Sequence, residues 1–130
     1  MGFDTELATA TTLATEYTAL GSTLGAMACA ADRDPTWGPA DDEEYSAKHA
    51  RQREVAKLLG SRFIAMAFEY SNAWKAYLAK TTAQLTAAAA KNDLLDYERD
   101  GWTKWSNNRL APEDQPEMFA RGLDVLARYT

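Results

Sequence analysis

Several residue types are scarce in this sequence, and each shortage removes a class of explanation. It holds one cysteine, Cys29, and one histidine, His49. A lone cysteine rules out an internal disulfide; set in a run of small residues, it is expected to be a buried thiol in a reducing, cytoplasmic setting. Valine and isoleucine together number three, Val55, Ile64 and Val125, so strands have little to be built from. The four prolines stand at 35, 39, 112 and 116, leaving residues 40–111 free of the residue that most reliably breaks a helix. The uncharged run 17–31 is too short and too mild for a membrane span, which needs about 20 apolar residues. Basic charge is also in deficit: 14 Lys and Arg against 19 Asp and Glu give a net charge of −5. An acidic chain lacks the positive surface with which proteins displace counterions from nucleic acid. The opening MGFDTEL carries acid where a secretory leader carries base, so neither export nor lipidation is expected.

What is present points to helix. There are 25 Ala, the strongest helix former, and 13 Thr, which weakens the case only slightly. At 130 residues the chain is expected to be one domain, 1–130, with a single core. The fold class expected is all-α, a bundle of about four helices built on a long antiparallel hairpin. A first helix over 4–31 carries Phe3, Leu7, Ala10, Ala14, Tyr17, Gly21, Leu24, Ala28 and Ala31 along one seam, widened by Leu13, Leu20 and Met27. Residues 32–40, DRDPTWGPA, must turn, and Asp41, Asp42, Glu43 and Glu44 follow where a helix dipole favours acid. A second helix is expected from 41 as far as 90, with a hinge conceivable at Gly60 and a lightly covered spacer over 79–92. A third is placed over 93–108 and a fourth from Pro116.

The stretch 63–78, FIAMAFEYSNAWKAYL, dominates this picture. At about 100° per residue, Phe63, Ile64, Met66, Phe68 and Tyr70 point in nearly every direction. Such a helix is expected either to be the central strut of the bundle or to be covered by another chain. Glu69 in its midst would need a partner.

Candidate chemistry is sparse. A carboxylate-bridged metal pair would use Glu-x-x-His on facing helices, but His49 does not stand three residues after a Glu. Counting along the hairpin puts Glu16 beside Arg53 and Lys57, and about 20 Å along the axis from Glu69. No metal, cofactor or catalytic residue is therefore assigned. A possible binding cluster combines Glu69, Asn72, Trp74 and Tyr77 with Trp102 and Trp105 of the third helix. A second candidate surface is the small-residue side of the first helix, Gly21, Ser22, Gly25, Ala26 and Cys29, whose spacing permits close approach of another helix. The function expected is non-catalytic assembly or accessory binding through helix–helix contacts, with a homo-oligomer or a helical protein as partner. Two alternatives are a small-molecule binder using the aromatic and amide cluster, and a coat for an apolar surface.

Overall fold

The computed structural model describes residues 2–96, 98–99 and 116–129. Among these residues the chain forms four α-helices and no strand: α1 Phe3–Arg33, α2 Pro39–Glu69, α3 Ser71–Lys91 and α4 Pro116–Tyr129. The all-α bundle expected from composition is what forms. Most of the third helix expected over 93–108, including Trp102 and Trp105, lies outside the described residues.

In α1, acids Asp4 and Glu6 occupy the first turn and Arg33 the last, each with the sign the helix dipole favours. Its threonines sit in helix at little cost because their hydroxyls have local acceptors. Thr9, Thr11, Thr12 and Thr15 each donate to the carbonyl four residues back, at 3.2, 2.8, 3.1 and 3.0 Å. The turn that follows is tied by its own polar groups. Asp34 Oδ1 accepts from the Thr36 amide at 2.8 Å and the Thr36 hydroxyl at 2.7 Å, and these bonds hold the Asp34 carboxyl below its ordinary value. Asp41 accepts from the Gly38 amide at 2.9 Å, and Asp42 from the Trp37 indole at 2.7 Å. Two of the four contiguous acids thus fasten the start of α2, with Pro39 as its first residue.

The hairpin is clasped by Arg62 on Glu6, at 2.6 Å, and by Arg51 on Glu16, at 2.6 and 2.9 Å. Arg51 therefore takes the place expected for Arg53 or Lys57. A count outward from a turn gives the level along the helix axis only to about one turn, and a side chain as long as arginine spans that distance.

The long second helix divides at Tyr70 and not at Gly60, which is buried within α2. Tyr70 leaves helical geometry with φ −128 and ψ 44, and its ring meets Phe3 edge-on at 6.2 Å. The break redirects α3 so that Trp74, Thr81, Leu85 and Ala88 turn inward. The 79–92 segment, expected to be a lightly covered spacer, thus contributes to the core. Helix α4 closes the bundle against α1, α3 and α2, with Phe119, Ala120 and Val125 buried.

Burial is concentrated at one end. No residue from Gly25 to Glu54 is buried, whereas α1 up to Leu24 and α2 from Val55 onward supply core residues. Among the described residues, the distal half of the hairpin is a two-helix arm and its other half belongs to the four-helix end. Cys29 lies on this arm and is exposed, because among the described residues only α2 covers α1 beyond Leu24; the expectation of a buried thiol fails for that reason.

Candidate functional site

The apolar residues of α2 occupy two opposed arcs. Val55, Leu59, Phe63 and Met66 are fully buried against the rest of the bundle. Ile64 and Phe68 face the other way and are 57% and 88% exposed, and Leu58, on the flank between the two arcs, is 42% exposed. The expectation of a strut enclosed on all sides therefore holds for Phe63 and Met66 and fails for Ile64 and Phe68. The hairpin presents one side of α2 to α1 and leaves its opposite side to solvent. Glu69 is exposed as well, so water supplies the solvation for which a partner was expected.

The aromatic residues form a connected cluster around Phe119. Phe63 meets Phe119 edge-on at 4.5 Å and stacks on Trp74 at 5.5 Å; Trp74 stacks on Tyr77 at 5.8 Å. Phe3 closes on Tyr77 at 6.3 Å. Burial pushes the Tyr77 hydroxyl above its ordinary pKa. Trp74 and Tyr77, two of the residues in the expected binding cluster, thus come together, with their faces occupied by core rings. Glu69 and Asn72 stand exposed at the α2–α3 junction, and Trp102 and Trp105 are outside the described residues.

The small-residue side of α1 is open. Gly21, Ser22, Gly25, Ala26 and Cys29 are all exposed. A Cβ built on Gly21 would lie 3.2 Å from the Gln52 side chain, whereas one on Gly25 meets nothing within 4 Å. Gly21 thus admits α2, and Gly25 is not needed for any contact among the described residues. Beside this face, a groove of about 400 Å³ runs between α1 and α4, floored by Ala14, Thr18 and Ala120. Tyr17, which lines the adjoining groove with Glu117 and Arg121, has its hydroxyl pKa raised by burial and then by the Glu117 charge.

One polar feature escaped sequence reasoning. Glu98 is fully buried; its Oε1 accepts from the Leu95 amide at 2.9 Å and from the Tyr129 hydroxyl at 3.0 Å. Its Oε2 lies 3.6 Å from Arg128 and has no hydrogen-bond partner among the described residues. Glu98 reaches back to an amide three residues earlier, as the acid of a capping box does, but the residue at the cap position is Leu95, so the sequence does not show the usual signature. Its burial depends on α4 arriving from 18 or more residues away, which no local pattern announces. The arrangement fastens the end of α4 to the segment after α3.

Electrostatics at the hairpin are those of a solvated surface. The bidentate bond from Arg51 lowers the Glu16 carboxyl pKa, and the same bond raises that of Arg51. Among the described residues, no three His, Cys, Asp or Glu side chains converge where a metal ion could bind, and no helix is long and apolar enough to cross a membrane. Comparison with known proteins finds no matching family model, no matching curated protein and no matching solved structure.

Proposed function

We propose that this chain is a non-catalytic helical assembly protein, acting through helix–helix contacts within an oligomer. The observation that carries this reading is the two-sided apolar character of α2. Burying one side builds the bundle, and the other, with Phe68 88% exposed and Ile64 57% exposed, remains for a neighbour. Large apolar side chains at i and i+4 on a helix form one contiguous patch, and such patches mark interaction surfaces. The arm between Gly25 and Glu54 favours the same reading, because a two-helix projection without buried side chains gains stability when another helix lies along it.

Light scattering and sedimentation test the proposal. The chain is expected to be larger than a monomer at tens of micromolar, and Ile64→Ser/Phe68→Ser should return it to one chain with unchanged helicity. A wild-type monomer at that concentration, or an oligomer indifferent to both substitutions, overturns it.

A further inference from the structure

The solvent side of α2 is not a random surface. Residues 43, 47, 50, 54, 57, 61, 64 and 68 follow one another by steps of four and three, and all eight are exposed. Steps of this kind keep side chains on one line along a helix and are the spacing of a two-helix seam. The line reads Glu43, Ala47, Ala50, Glu54, Lys57, Ser61, Ile64, Phe68. After Glu43 the line runs through two small residues, Ala47 and Ala50, then an acid and a base, Glu54 and Lys57, then Ser61, and ends in the large apolar Ile64 and Phe68.

That order is complementary to its own reverse. We infer that the partner on this face is a second copy of the chain, with the two α2 helices antiparallel and the two-fold axis passing between Glu54 and Lys57. Laid this way, each Glu54 faces the partner's Lys57 and each Lys57 the partner's Glu54. Ala50 faces the partner's Ser61, and Ala47 faces the partner's Ile64. Helical side chains lean toward their own N-terminus, so Ile64 settles between the two alanines and Phe68 over Ala47 and the stem of Glu43. Ile64 meets the two alanines, Phe68 lies across Ala47 and the aliphatic stem of Glu43, and opposite charges meet in the middle. A two-fold contact of this sort is closed and self-limiting.

Other arrangements lose one of these matches. A parallel pair would set Glu54 on Glu54 and Lys57 on Lys57. An antiparallel pair centred on Ile64 and Phe68 would overlap the two α2 helices over less than about two turns, because α2 ends at Glu69. Glu54 has one competing contact, Arg51 on its own helix at 3.6 Å; both side chains are exposed, which makes it a weak competitor.

This inference rests on the assembly reading above, and its test separates the two. In sedimentation equilibrium of the full chain, Glu54→Lys and Lys57→Glu are each expected to weaken the dimer by about tenfold, since symmetry doubles every change. The double variant Glu54→Lys/Lys57→Glu rebuilds both pairs and is expected to return toward wild-type affinity. In a Cys29→Ala background, Ala50→Cys/Ser61→Cys should oxidise to a covalent dimer, while either cysteine alone should not. These positions are exposed, so the helical circular dichroism of every variant should match wild type. If the wild type is a monomer, both inference and assembly reading fall. If it is an oligomer but the double charge swap is as weak as the single changes, or the 50/61 pair does not cross-link, this partner geometry falls and the assembly reading stands.

Discussion

Phe63 and Phe68 are the same residue type five positions apart on one helix, and the structure assigns them opposite energetic roles. Phe63 is fully buried, with its ring centroid 4.5 Å from that of Phe119 and 5.5 Å from that of Trp74. Replacing it by alanine removes the transfer energy of the ring and leaves a cavity between helices α2, α3 and α4, a loss of about 3–5 kcal/mol. Both ring–ring interactions disappear with the side chain, which places the effect toward the upper end of that range. Against a total of about 5–15 kcal/mol for a domain, this is a large fraction. Phe68→Ala removes a ring already in water, and the monomer should change by less than about 0.5 kcal/mol. The assay is urea unfolding followed by circular dichroism, at a protein concentration where the chain is monomeric so that association does not add to stability. With a slope of about 1–3 kcal/mol per molar urea, the Phe63→Ala midpoint should drop by at least about 1 M. Loss of less than about 1 kcal/mol at Phe63, or an equal loss at both positions, would refute the two-sided account of α2.

Three further outcomes follow from particular side chains. Tyr129→Phe removes a hydrogen bond to the buried Glu98 carboxylate and should cost about 1.5–3 kcal/mol by the same unfolding assay; an unchanged midpoint would mean that Glu98 does not fasten α4. Gly25→Ala places a better helix former where nothing lies within 4 Å. It should raise monomer stability by about 0.5–1 kcal/mol, while Gly21→Ala should gain less because Gln52 must shift; a loss at Gly25 would show that a helix packs there. Because Arg51 lowers the Glu16 pKa in the folded chain, this carboxylate contributes stability above its unfolded pKa and loses it as pH falls through the folded value. Glu16→Gln should therefore flatten part of the acid limb of a stability–pH curve, and an acid limb identical to wild type would remove the clasp from the account.

Composition and spacing carried the local half of this protein. The helical class followed from alanine abundance and proline placement, because helix formation depends mainly on near neighbours in sequence. The turn within 32–40 followed from its two prolines and glycine, and the start of the second helix near 41 from the acids there; α2 begins two residues earlier, at Pro39, and the bonds that fix this stretch span only two or three residues. The first part of the α1 seam was legible for the same reason, since Phe3, Leu7, Ala10, Ala14 and Tyr17 line the core; farther along the same row Leu24 is buried, but Gly21, Ala28 and Ala31 are exposed. The break at Tyr70 was not legible, since it coincides with a contact to Phe3, next to it in space but at the opposite end of the α1–α2 stretch in sequence. The burial of Glu98 and the exposure of Cys29 depended likewise on which helix arrives, or fails to arrive, over them. Spacing alone was enough to establish that α2 carries apolar side chains all round. Long-range packing chose which of them are spent on the fold and which are left over. Periodicity fixes the angles between side chains around a helix axis, while the direction in which neighbours lie is set by contacts between residues far apart in the chain.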